Sequence, residues 1–184
     1  METTSRIDEE KRQWYALYTR PRFEKKVDQL LLEKGIESFL PLCTTVRYWS
    51  DRKKKIQEPL IPSYIFVHAN RTERLLSLQS SGVIRMIFFN NQPARIPDDQ
   101  IENLRTVIEH GYNPQPFQYL NRGDEVEVVA GPLRGVHGYF IEERGQEHLI
   151  ISVHPIRQSV AIQVERSQIR KVQSKVSAGM AATI

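Results

Sequence analysis

The residue types able to make and break bonds are sparse in this chain and poorly spaced for it. His68, His110, His137, His148 and His154 show no ligand spacing, and Cys43 is the single cysteine that can join them, so no zinc site is expected. No glycine-rich loop leads into a helix through Lys-Ser/Thr, and no Ser/His/Asp order or carboxylate pair stands in a recognisable context. "GPLRGVHG", Gly131 to Gly138, lies between β segments, where glycines punctuate turns. The chemistry that the residues favour is binding. Arg47, Arg52, Lys53, Lys54 and Lys55 crowd one stretch against a single acid, Asp51, a local excess equal to the +4 net charge of the whole chain. Such a cluster suits phosphate, and contacts of that kind weaken with salt. Shortly after it, "IPSYIFVHAN" sets Tyr64, Phe66 and His68 on one side of a strand and Ile65 and Val67 on the other. Either both apolar sides pack inside the chain or one receives a partner. No cofactor and no metal is expected, and the chain reads as a binding protein rather than an enzyme.

The elements that must carry these residues follow from periodicity. "WYALYT", Trp14 to Thr19, is a first strand. A helix follows, with Pro21 in its first turn, Phe23, Val27, Leu30 and Leu31 on one face, and Gly35 ending it. Thr44 to Ala69 reads as a hairpin with a basic tip. Arg71 to Ser81 reads as a short helix burying Leu75, Leu76 and Leu78, and "VIRMIFF" as a strand. A second clear helix starts near Asp98, with Ile101, Leu104, Val107 and Ile108 on its buried face, and stops at Gly111. This order predicts helices packed on a small sheet. Residues 112–121 hold two prolines and no periodicity, so they read as a linker. From 122 to 172 the text is all β, in about five short strands, and a small closed barrel is the expected form. Its β-branched runs, glycines and prolines argue against a helical alternative, so an autonomous barrel on a mobile tether is expected.

At 184 residues, 40% hydrophobic and 26% charged, the chain has room for two small domains. Residues 1–12 and 173–184 read as disordered ends. The absence of a signal-peptide core, of a membrane-length apolar run and of paired cysteines predicts a cytoplasmic monomer with no membrane contact.

"WYALYT", "FEKKVDQLL", "PLIPSYIFV", "GVIRMIFF" and "GDEVEVVAGPLRGVHGYFIEE" together resemble the NusG family of transcription elongation factors, over Trp14 to Val172. The resemblance implies an α+β fold: a NusG-type α/β sandwich domain at 13–111, then a small all-β KOW (SH3-like) barrel at 122–172. The basic hairpin and "EPLIPSYIFV" look closer to the specialised RfaH/UpxY/LoaP-like antiterminators. By resemblance, Ile61, Tyr64 and Phe66 contact the clamp helices of RNA polymerase's largest subunit. Arg71, Thr72, Glu73 and Arg74 stand where such proteins touch the gate loop of the other large subunit. Arg20, Arg22 and Lys26, with Ser80 and Ser81, stand where they meet the non-template DNA strand. Ser80 and Ser81 replace a base-reading Thr-Arg pair, so the same element is not read in the same way. Arg52 to Lys55 approach the upstream duplex, and the implied nucleic-acid partner is the non-template DNA strand or nascent RNA. Pro155, Ile156 and Arg157 fall on the barrel loop whose aromatic, in the family, engages the termination factor Rho or a small-subunit ribosomal protein; Ile156 stands in place of that aromatic, so the resemblance leaves the ribosomal contact and not Rho. The implied function is a transcription elongation and antitermination factor that suppresses pausing and termination. The alternative is a KOW-type RNA- or ribosome-binding protein of the translation apparatus.

Overall fold

The structure is a computed structural model that describes residues 11–48, 53–120, 123–143 and 145–172. Arg52 and most of both expected disordered ends lie outside the described residues. In chain order the first part runs β1 (Gln13–Thr19), α1 (Glu24–Glu33), β2 (Glu37–Phe39), β3 (Leu42–Tyr48), β4 (Lys53–Pro59), β5 (Tyr64–Ala69), α2 (Arg71–Leu78), β6 (Val83–Met86), β7 (Phe88–Phe89), β8 (Gln92–Pro93), β9 (Arg95–Ile96) and α3 (Asp98–Glu109). The second part is β10 (Gln115–Phe117), β11 (Asp124–Val128), β12 (His137–Glu143), β13 (Gln146–Val153), β14 (Gln158–Gln163) and β15 (Ile169–Lys171). The fold is α+β, with an α/β sandwich followed by a β-rich domain.

The sandwich is built on a sheet of order β2-β5-β1-β6, with β9 pairing the start of β1. β1 and β5 are antiparallel in a register that sets Trp14 opposite His68, Ala16 opposite Phe66 and Tyr18 opposite Tyr64. One sheet face carries Tyr15, Leu17, Ile65 and Val67 and packs on Val27 and Leu31 of α1. The other carries Trp14, Ala16 and Phe66 and packs with Ile101, Leu104 and Val107 of α3. Ile65, Phe66 and Val67 of β5 are therefore packed at home, while Tyr64 at its start keeps part of its ring exposed.

Several boundaries differ from the sequence expectation for physical reasons. Helix α1 starts at Glu24 and not at Pro21, because Arg22 takes the left-handed region at φ 67 and breaks the chain's entry into the helix. The basic hairpin is β3 with β4 alone; after Pro59 the chain turns and β5 joins the main sheet. In α2 the expected apolar face is inverted: Leu75, Leu76 and Leu78 are exposed and Ser77 is buried. The small Ser77 donates back to the Glu73 carbonyl at 2.7 Å, which satisfies its buried hydroxyl within the helix.

In the second domain six strands form one antiparallel sheet of order β10-β14-β13-β12-β11-β15. The expected linker contributes to it: Gln115 to Phe117 pair with Ala161 to Ser159, since Pro116 sits in an edge strand where a missing N–H is tolerated. Gly138, read as a turn residue, lies inside β12. A Cβ there would stand 2.5 Å from the Ile150 carbonyl oxygen, so this glycine permits close approach of β13.

The two domains are docked, which replaces the expected free tether. Asn103 of α3 donates to the His137 carbonyl at 3.2 Å and accepts from the His137 N–H at 3.3 Å. Gln100, one turn earlier, accepts the His154 N–H at 3.0 Å. An apolar cluster runs from Phe66 through α3 into Leu149, Ile151 and Ile156 of the second domain.

Candidate binding surfaces

The Tyr64 surface begins with a turn. Ser63 is held at φ 65, a left-handed conformation that a serine adopts at some strain. Its N–H donates to the carboxylate of Glu24 at 2.8 Å, and Glu24 is itself buried in the first turn of α1. The Ser63 carbonyl accepts from the Thr19 N–H at 2.8 Å. These bonds fix the start of β5 and hence the Tyr64 ring. That ring is half-buried and meets Tyr18 edge-on, with centroids 5.3 Å apart, the arrangement that aromatic quadrupoles favour. The Arg85 guanidinium lies 5.6 Å from the Tyr18 ring. Burial raises the Tyr64 phenol above its ordinary pKa, Tyr18 adds to the rise, and Arg85 opposes it. At neutral pH the surface therefore presents a neutral hydroxyl on an apolar ring.

The other two expected clamp residues do not share that surface. Phe66 has 0% exposure and stacks on Phe39 at 6.1 Å, while Ile61 is buried in the same cluster. Helix α3 covers the face on which outward presentation was expected. Tyr18 was missed. Its signal was legible in "WYALYT", where it continues the Trp14, Ala16 alternation towards the end of the strand.

Of the expected gate-loop residues, Arg71 and Thr72 are exposed in the first turn of α2. Glu73 is structural. It closes a capping box with Asn70, accepting the Asn70 N–H at 2.9 Å while the Asn70 side chain accepts the Glu73 N–H at 2.9 Å. Arg12, expected in the disordered end, donates to it at 3.0 Å. Burial pushes the Glu73 carboxyl up, but the bonds from Arg12 and Asn70 outweigh it, and its pKa sits below the usual value. Arg74 lies over the Tyr15 ring at 4.9 Å.

The expected nucleic-acid residues divide into a grouped set and an outlier. The Arg20 N–H donates to the Gly82 carbonyl at 2.8 Å, which brings exposed Arg20 beside exposed Ser81. Lys26 extends over the Phe23 ring at 5.7 Å. Arg22 and Lys54 line one groove of about 700 Å³ between the start of α1 and the hairpin. Lys25 ties that hairpin to α1 by donating to the Gln57 carbonyl at 2.8 Å. Lys53, Lys54 and Lys55 are exposed along β4. Ser80 is the outlier. It is buried, and its hydroxyl bonds Lys34 Nζ at 2.8 Å, so it supports the loop and does not face a ligand.

In the second domain, Pro155 and Ile156 belong to a 3₁₀ turn, His154–Ile156, that ends at Arg157. Ile156 is buried in the shared cluster, contrary to its expected role as a presented contact; Pro155 is half-buried and Arg157 exposed. Among the described residues no group of His, Cys, Asp and Glu can hold a metal ion. No helix among them is long and apolar enough to cross a membrane.

The family model for NusG, described as a transcription termination factor, matches residues 12–105, more than half of the chain. The chain belongs to the NusG family. It is 24% identical over 180 residues to the transcription termination/antitermination protein NusG of Rickettsia bellii, covering 91% of this chain and 94% of that protein. It is 25% identical over 173 residues to the NusG of Helicobacter pylori, covering 86% and 98% respectively. Among solved structures, one titled "Domain interaction in Thermotoga maritima NusG" aligns with a TM-score of 0.50 at 19% identity, over 90% of this chain and 99% of that one. At that identity the structural likeness speaks to the fold, and it extends the NusG pattern across both domains.

Proposed function

We propose that this NusG-family chain is a transcription elongation and antitermination factor that docks on the clamp helices of RNA polymerase through Tyr64 and Tyr18. The observation that carries this reading is the paired aromatic surface itself: two half-buried rings at one end of the sheet, held by the Glu24–Ser63 bond. Aromatic rings on a rigid frame are what protein interfaces use as anchors. Ile61 and Phe66 form the floor beneath and act by position. Exposed Arg71 and Thr72 face the second large subunit. Arg20, Arg22 and Ser81, with Lys53 to Lys55, track DNA or RNA leaving the cleft. A factor bound across these parts suppresses pausing by binding the closed clamp more tightly than the open one. In this reading the polymerase-binding unit is 13–111, and the second domain gains residues 115–117 from the segment that joins them. Sedimentation with purified polymerase and with ribosomes tests it: the chain should migrate with polymerase, and migration with ribosomes alone would support the translation-apparatus alternative instead.

A further inference from the structure

Three residues stand side by side across one end of the first-domain sheet. Tyr18 of β1 lies directly opposite Tyr64 of β5 on one side and directly opposite Arg85 of β6 on the other. Directly opposed residues on neighbouring antiparallel strands emerge on the same face, so Tyr64, Tyr18 and Arg85 form one row. On the β6 side it is the last regular rung, because the register shifts between Tyr18 and Thr19. The two rings of this row carry the polymerase reading above; Arg85 has no role in it.

Arg85 is exposed, and its guanidinium is held 5.6 Å from the Tyr18 ring. That cation–π contact sets its direction without using its N–H donors. Elsewhere Arg12, Arg105 and Arg170 are paired with Glu73, Glu102 and Glu127. Among the described residues no carboxylate pairs with Arg85 and no acceptor takes its N–H groups. Burial first and Tyr18 second raise the pKa of the Tyr64 phenol, and the Arg85 charge is close enough to oppose them. Neighbouring strands lie about 4.8 Å apart, so a row across three strands spans roughly 10 Å. That is about the diameter of one α-helix with its side chains. A helix laid over the two rings therefore covers Arg85 with its flank. Taking an unpaired guanidinium out of water is costly unless the incoming surface supplies an acceptor. A carboxylate supplies it in planar, two-bond geometry.

We propose that Arg85 is the specificity-determining residue of this surface, pairing with a carboxylate on the flank of the docked partner helix while apolar residues of that helix cover Tyr18 and Tyr64. The inference rests on the polymerase reading and adds what that reading lacks. The docked helix carries an acid beside its apolar stripe, and the pair fixes the direction in which the helix lies across the sheet. A helix with a basic flank is rejected by the same charge. Stacking on Tyr18 holds the guanidinium in place before the partner arrives, which lowers the entropy lost on pairing. A phosphate would also satisfy the guanidinium, so the test is made first without nucleic acid.

The measurement is the affinity of the full chain for core RNA polymerase free of nucleic acid, at low and at high salt, with circular dichroism to confirm that each variant is folded. Arg85→Ala should weaken binding about fivefold and Arg85→Glu at least about tenfold, with the gap between them narrowing at high salt as the charges are screened. Arg85→Lys, which keeps the charge and loses the planar fork, should fall between wild type and Arg85→Ala. Acidic residues of the clamp helices, changed to Lys one at a time, should include one that restores binding to Arg85→Glu. Tyr64→Ala is the control that separates the two claims. If Tyr64→Ala loses binding while Arg85→Glu binds like wild type, the proposal is overturned and the polymerase reading stands. If both bind like wild type, the reading fails and takes the proposal with it. The proposal is also overturned if no acid on the clamp helices rescues Arg85→Glu, or if the Arg85→Glu defect appears only once DNA or RNA is added, which would assign Arg85 to phosphate.

Discussion

Phe66 has no solvent exposure, whereas Tyr64, two residues earlier on the same strand face, keeps part of its ring in water. The difference lies in what α3 reaches. Its apolar face covers the sheet at Phe66, while the Tyr64 ring meets Tyr18 beside Arg85. The two residues should then separate in experiment. Phe66→Ala should destabilise the chain by about 3–5 kcal/mol through the cavity it leaves, measured by urea unfolding. Wild-type stability in that variant would place the ring outside the core. Glu24 gives a second residue-scale prediction. Glu24→Ala strands the buried Ser63 N–H and should cost about 1–3 kcal/mol, whereas Glu24→Gln, whose amide oxygen can still accept, should recover most of it. Equal losses in the two variants would mean that the carboxylate is not acting as that acceptor.

At the scale of elements, strand and helix identities were largely legible, because Trp14 to Thr19 and Tyr64 to Ala69 are short runs rich in aromatic and β-branched residues and Ile101, Leu104 and Val107 recur at helical spacing. What sequence could not give was which face met which neighbour. Leu75, Leu76 and Leu78 look like a buried stripe, yet Ser77 takes the inside, its hydroxyl satisfied by the Glu73 carbonyl. Gly138 looks like turn punctuation, yet it serves the approach of Ile150. The partial exposure of Tyr64 fits its expected presentation, whereas Phe66, Ile61, Ser80 and Ile156, expected at their separate contacts by resemblance, are buried by packing. The β3–β4 hairpin carries the element-scale prediction. Changing Lys53, Lys54 and Lys55 to Ser should weaken binding to an elongation complex, and more at low salt than at high, because each phosphate contact releases counterions. Equal losses at both salt concentrations, read by gel shift, would remove phosphate from the account.

For the whole molecule, the docked arrangement rests on a few specific polar contacts as well as apolar burial. Gln100 and Asn103 each satisfy backbone groups of the second domain, so Gln100→Ala with Asn103→Ala leaves those groups to solvent and weakens the docking. Small-angle scattering should show a larger radius of gyration for that variant, with strand content unchanged by circular dichroism. An unaltered radius would mean that the apolar cluster holds the domains without them. The central claim, however, is that the Tyr64 surface binds polymerase, and one affinity decides it most directly. Tyr64→Ala should weaken binding to core RNA polymerase by about 2 kcal/mol or more, roughly thirtyfold in Kd, with the thermal midpoint close to wild type. A folded Tyr64→Ala variant that binds polymerase as tightly as the wild-type chain would contradict the account.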